Sequence, residues 1–229
     1  MEENENKESA VNKEEIKEET VKTAKEVKET IKNVDIKKDA KATTGFITEM
    51  IKNPLGRLKE IANDKENKDF KYAVVLAVIW MIVLAILHLS SYSSIDSFFA
   101  YSFTKHFLGL LKTIIAPIVG IIVMSIIVFA INKNNKKSFM TILTSITAAQ
   151  IPVIVADILG LLRLISLSIS KLLSPFSMFC SAISIVFTFF AIKALIGEED
   201  NSKFLKTFVI IQAIYYVAYL IISYLEIYI

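Results

Sequence analysis

Residues 114–131 read IIAPIVGIIVMSIIVFAI, eighteen positions without a Lys, Arg, Asp or Glu. A helix rises about 1.5 Å per residue and the hydrocarbon of a bilayer is about 30 Å thick, so roughly 20 apolar residues in a row cross it. A strand of a membrane barrel would alternate polar and apolar positions, and this run does not. A helix buried at the centre of a large soluble protein can also be apolar all round, but it needs amphipathic neighbours to cover it.

The neighbours here are of the same kind. Residues 72–89 read YAVVLAVIWMIVLAILHL, again free of charge. Further windows lie at about 108–131, which contains the opening stretch, 139–162 with Asp157 as its charge, 173–196 with Lys193 near its end, and 204–226, uncharged between Thr207 and Leu225. With no water in the hydrocarbon, every backbone N–H and C=O must be paired within its own segment, which makes the runs helical. The sequence therefore predicts an all-α polytopic membrane protein: a bundle of five transmembrane helices preceded by an amphipathic segment and a charged N-terminal helix or disordered tail.

Charge is distributed to match. Residues 1–40 carry nine Lys and twelve acidic residues, 41–71 carry seven basic and five acidic, and the remaining 158 positions hold only ten basic and six acidic. A soluble domain of that size has about a quarter of its residues charged. Three regions follow: a charged cytoplasmic head (1–44), an amphipathic interfacial segment (45–70) and a membrane domain (71–229). No dense basic patch with interleaved aromatics points to nucleic acid. The opening, MEENENKESAVNKEEIKEE, is too polar for a secretory signal. Basic flanks favour the cytoplasmic side. Lys52, Arg57, Lys59, Lys65, Lys68, Lys71, Lys133, Lys136, Lys137, Lys193, Lys203 and Lys206 fall on one side, against Lys105, Lys112, Arg163 and Lys171 on the other. The expected location is the cell membrane, multi-pass, with the N-terminus cytoplasmic and the C-terminus external.

In the head, residues 10–38 lack Gly and Pro, and Ala24, Val27, Ile31 and Val34 share one helical face. The face is narrow and lacks Leu. A solvated tail, a helix that pairs with a partner, and a helix on anionic lipid all remain open. In the next segment, GFITEMIKNPLGRLKEIA (45–62), Phe46, Ile47, Met50 and Ile51 form one apolar side, and Leu55 and Leu58 resume it after Asn53-Pro54. Proline suits a first helical turn and disfavours helix just before it, so the segment reads as two short helices meeting at Pro54. They lie along the inner membrane surface or pack on the ends of the bundle.

Ionisable and polar groups inside spans are candidate sites, because burying them in lipid is costly. Asp157, Gln150 and Lys193 form the candidate polar intramembrane site. Asp157 can face a cavity, approach Arg163 or reach the outer interface, and Lys193 can snorkel. Pro117 and Pro152 are expected helix kinks. Thr141, Thr144, Ser145 and Thr147 give the third window a small, polar inner half suited to close packing or to a substrate path. No catalytic, cofactor-binding or metal-binding set emerges. His88, Ser90, Asp96 and His106 can be grouped around one loop, but no spacing fixes them. There is neither a phosphate-binding glycine loop nor a His-Glu-x-x-His pattern, and Cys180 is a lone cysteine. The chain reads as a non-enzyme without cofactors, with lipid as its surroundings; a protein partner at the head and a homo-oligomer stay open.

Three features together resemble the Yip1 family of membrane domains, in its prokaryotic branch: Asn53-Pro54 followed by Leu55, Arg57 and Leu58; NKKSFMTILTSITAAQIPVIVADILGLL (135–162), where Lys137-Ser138-Phe139 leads to Ile151-Pro152; and a final helical pair joined by Gly197-Glu198-Glu199-Asp200. The resemblance covers residues 46–229 and implies five spans with a cytoplasmic N-terminus. Eukaryotic relatives act in vesicle traffic and bind Rab-type GTPases, but the acidic-hydrophobic motif associated with them has no clear equivalent in residues 1–52, so GTPase binding is not carried over. The resemblance implies mostly fold, since prokaryotic members generally lack an assigned activity; the helix-prone head, the interfacial segment and the small polar residues of the spans point to a non-enzymatic membrane scaffold or adaptor of the Yip1-like type, in membrane organisation or trafficking-like processes. The alternative is a small permease or transporter subunit with a polar site around Asp157 and Gln150.

Overall fold

The computed structural model describes residues 36–90, 103–132, 137–165 and 167–227, with positions 21, 25, 28, 29 and 32 of the head. The first long helix, α1 (Ile36–Lys52), is amphipathic. Thr43, Phe46 and Met50 are buried at spacings of three and four, which puts them on one face against the first membrane helix. The chain then turns at Asn53. Its side chain accepts from the Gly56 N–H at 3.1 Å, and Pro54 opens α2 (Pro54–Asn63), where its missing N–H costs nothing. Leu58, Ile61 and Ala62 of α2 are buried, and α2 packs across the ends of two later helices.

Helix α3 (Phe70–Leu89) and helix α4 (Phe103–Ile131) follow, and α4 runs through Pro117 as one helix. Ser138 caps α5 (Phe139–Ala149) through its side chain, which accepts from Thr141 N–H at 3.0 Å. Helix α5 is the centre of the protein: every residue from Met140 to Ala149 except Leu143 is buried. It breaks at Gln150 into α6 (Ile151–Gly160), which continues as a 3₁₀ turn, Leu161–Leu164. Helices α7 (Leu167–Ile196) and α8 (Asn201–Ile227) complete the chain. Helix α7 packs along α5 and α6, whereas α8 lies mainly along α4.

Outward-facing positions are oily. Ile82, Ile122, Ile126, Ile185, Val209 and Ile210 are all exposed. Water would not tolerate so continuous an apolar surface on a monomer, and lipid favours it. The chain is a multi-pass membrane protein.

The number of crossings differs from the expectation. Among the described residues three helices are long and apolar enough to cross a membrane, Phe70–Leu89, Phe107–Ile131 and Lys171–Ile196, and a fourth crossing results if Phe139–Ala149 and Ile151–Leu164 count as one bent span. The bundle of five transmembrane helices, expected from the windows and from the resemblance alike, is therefore corrected to an all-α fold with three membrane-length helices, or four. The window at 204–226 is the one that falls away. Its helix begins with Asn201, Ser202, Lys203 and Lys206, and Gln212, Tyr215 and Tyr216 interrupt the apolar run that follows. The window at 139–162 is two helices bent by 46°. Pro152 has no N–H to give the carbonyl of Ala148, so the ladder opens there.

Candidate functional site

Two polar centres stand out, one at the end of the bundle that carries α1 and α2, the other halfway along the long helices. At the end, Arg57 rises from α2 between the two short helices and the start of α3. Its guanidinium donates two hydrogen bonds to the Asp69 carboxylate, at 2.8 and 2.9 Å. It also meets Glu60 at 2.9 Å and Glu49 at 3.3 Å, and lies over the Phe46 ring at 5.2 Å. Both bonds to Asp69 come from one nitrogen, Nη2, while Nη1 serves Glu60, so the guanidinium divides its donors between separate carboxylates.

Asp69 is also the residue from which α3 starts, so one side chain ties α1, α2 and the first membrane helix together. Burial acts to lower the Arg57 pKa, but the hydrogen bond to Glu60 and the charges of Asp69, Glu49 and Glu60 outweigh it and hold the value above its usual one. Burial pushes the Asp69 carboxyl above the usual carboxylate range, with the Arg57 charge opposing it.

The loop between α2 and α3 is pinned beside this cluster. Asn67 takes a positive φ of 53°, which Asn tolerates better than most residues. Its side-chain oxygen accepts from Ser138 at 2.7 Å and from Thr141 at 2.8 Å. Lys137 donates to Asn63 at 3.0 Å. The start of the central helix is thereby fastened to the loop that leads into α3.

Halfway along the bundle the chemistry has no formal charge. Gln150 sits at the break between α5 and α6. Its oxygen accepts from Ser184 at 3.0 Å, and its nitrogen donates to Thr188 at 3.3 Å. Ser184 also lies 2.6 Å from the carbonyl oxygen of Ala149, one of the groups left at the break. In hydrocarbon an unpaired carbonyl costs several kcal/mol, so these hydroxyls are what lets the helix break. The three polar groups form one wall of a cavity of about 340 Å³, which Trp80, Pro117, Gly120, Gln212 and Tyr215 also line. At Gly120 the neighbouring helix comes close: a Cβ there would stand 2.8 Å from the Tyr215 hydroxyl, the tip of a side chain that would have to shift.

The sequence grouped Asp157, Gln150 and Lys193. The structure places Gln150 on the cavity wall and Asp157 off it, half-buried one helix over, where it accepts from the Trp80 indole N–H at 2.7 Å. Arg163 does not bond Asp157; it donates to the Leu87 carbonyl at 3.3 Å. Lys193 lies at the far end of α7, where it bonds the Asn201 side chain and stands 5.9 Å above the Phe204 ring. Of the apolar residues of the amphipathic segment, Phe46, Met50 and Leu58 are buried against the bundle and Ile47 packs on its core. Ile51 is 62 % exposed and Leu55 44 % exposed, at the corner that Pro54 makes.

His88 reaches Thr113 on α4, with 3.0 Å between its Nδ1 and the hydroxyl. Asp96 lies outside the described residues, and the side chain of His106 is likewise not described. Among the described residues no group of three or more His, Cys, Asp or Glu could hold a metal ion.

In the sequence Arg57 stands out as one basic residue among twelve and as part of the stretch after Asn53-Pro54, and Asp69 as one acid among many. The sequence does not point to the Arg57–Asp69 pair, to the Trp80 partner of Asp157 or to the hydroxyls of α7 around Gln150. Compared with family models, residues 48–224 match the Yip1 domain. Compared with curated proteins and with solved structures, the chain finds no match.

Proposed function

The chain belongs to the Yip1 domain family, and from that we infer that it acts as a non-enzymatic scaffold or adaptor in the membrane. Helices α1 and α2 serve as a rigid platform on the cytoplasmic side, Ile51 and Leu55 touch the lipid surface at its corner, and the charged head recruits a protein partner in membrane organisation or trafficking-like processes. The observation that carries this reading is the Arg57 clamp. A platform joined by one guanidinium to Glu49, Glu60 and Asp69 is held in fixed register with the first membrane helix. The excess of basic residues around the platform supports its placement on the cytoplasmic face.

Crosslinking and co-purification from native membranes test it, with the full chain compared against a chain lacking residues 1–35. The scaffold reading expects at least one protein to be lost with the head. An identical set of partners from both forms counts against it.

A small permease or transporter subunit is the second reading, and the observation in its favour is the cavity beside Gln150. Asp157 lies outside that cavity, so a transport role there would use amides and hydroxyls rather than a carboxylate. Uptake that is the same for the wild type and Gln150→Leu in proteoliposomes, across neutral solutes, would remove this reading.

A further inference from the structure

The cavity at mid-bundle has an opening, an unmatched amide and no charge. Helix α8 lies along α4 and meets α7 near their shared turn, through Phe189 against Phe204 and Phe208. Away from that turn the two helices leave a gap, and exposed Ser181 and Ile185 of α7 stand at its edge. Ser181 and Ile185 lie midway along the membrane-length helix Lys171–Ile196, so this edge of the gap stands away from either end of that helix.

Inside, Gln150 spends its amide on Ser184 and Thr188. Gln212, on the facing helix, has no hydrogen-bond partner among the described residues and lines the same space. A primary amide offers two donors and an acceptor. At that depth water is scarce, and an unmatched amide is costly. None of the lining side chains is Lys, Arg, His, Asp or Glu. Bringing a charged headgroup to this depth without a countercharge is more costly still.

We propose that this cleft is a binding site for an uncharged lipid-soluble molecule that enters from the bilayer and presents a carbonyl or hydroxyl oxygen to Gln212. Ser184 and Thr188, already tied to Gln150, form the fixed opposite wall. The volume of about 340 Å³ accommodates a small ring or a glycerol-sized polar head, with its apolar tail leaving between α7 and α8. Diacylglycerols and isoprenoid quinones share this chemistry, a neutral oxygen-bearing head on an apolar tail. The site does not rest on the scaffold reading and would stand if that reading failed.

Full-length protein in proteoliposomes is labelled with three photoreactive probes: a diacylglycerol, an isoprenoid quinone and a phosphatidylglycerol, each with its reactive group beside the head. The attachment point is then mapped by peptide mass spectrometry. The proposal expects labelling of α7 or α8 residues at the cleft by one or both neutral probes, at least fivefold above the phosphatidylglycerol. The neutral probe that labels identifies the source. Gln212→Leu, which removes the amide at nearly the same side-chain size, and Ser181→Phe, which narrows the mouth, should each cut that labelling at least fivefold while thermal unfolding in detergent stays within a few degrees of the wild type. Labelling at the cleft that is equal for all three probes, absent for both neutral ones, or unchanged in both variants would overturn it.

Discussion

Arg57 gathers three carboxylates at the end of the bundle, and Gln150 gathers two hydroxyls at its middle. Both centres join separate helices, consecutive ones at the end and distant ones at the middle, and both do so through a single side chain with several hydrogen-bonding atoms. The end cluster uses full charges, because water can reach its rim and reduce the cost of ionisation: Glu49 and Glu60 side chains are each 64 % exposed. The middle uses neutral groups, because there a charge without a partner would cost several kcal/mol. Asp157 is the exception that shows the rule. It lies on a membrane helix, yet the one tryptophan of the chain supplies it with a short hydrogen bond.

The sharpest way to break this contrast is to remove the cation. Arg57→Ala leaves Asp69, whose side chain is only 12 % exposed, without its cationic partner. Stranding one partner of a buried pair costs about 3–5 kcal/mol, and the open rim here reduces that to about 2–3 kcal/mol. The loss should appear as a lower unfolding midpoint in detergent and as faster proteolysis between residues 45 and 69, where α1 and α2 come free. A change below about 1 kcal/mol would make the cluster an ordinary surface salt bridge.

A smaller effect is expected at the middle. Ser184→Ala removes the hydroxyl that serves both Ala149 and Gln150. Interhelical hydrogen bonds in membranes average about 0.6 kcal/mol, and leaving a buried acceptor unmet adds to that, so the loss should be about 1 kcal/mol. Measured beside Arg57→Ala in the same detergent, it ranks the two centres. A larger loss for Ser184→Ala than for Arg57→Ala would reverse the comparison.

What could be read in the sequence follows the range of the interactions. The apolar runs of α3, α4 and α7 are local compositions, and they were legible without any knowledge of the fold. So was the break at Asn53-Pro54, because proline restricts its own backbone and that of its neighbour. The window at 204–226 leaves out the polar start of its helix, which begins at Asn201 and carries Ser202 and Lys203 before Lys206. Neither polar centre is local. Arg57 and Asp69 are twelve positions apart and meet only because the loop between them turns at Asn67. Gln150 and Ser184 are 34 apart, and Trp80 and Asp157 are 77 apart. A lone polar residue in an apolar window announces that it needs a partner, but not which helix supplies one. Lys193 is legible as a lysine near the end of its window, but its partner Asn201, across the turn at the helix end, is not.

The smallest expected effect concerns pH, and it tests what dominates at Asp69. Burial raises its pKa and Arg57 pulls it back, with burial prevailing. A folded pKa above the unfolded value of about 3.9 means that the folded chain holds the proton more tightly. The contribution of this group is then fully present below the unfolded value and is lost as pH rises through the folded one. Acidification from neutral pH toward 4 should therefore increase the stability of the wild type relative to Asp69→Asn, which cannot titrate there. The unfolding midpoints of the two forms, followed in detergent across that range, give the sign directly. A difference that shrinks on acidification would mean that the Arg57 charge outweighs burial, and that the end cluster is held by its ion pair more than it is strained by its enclosure.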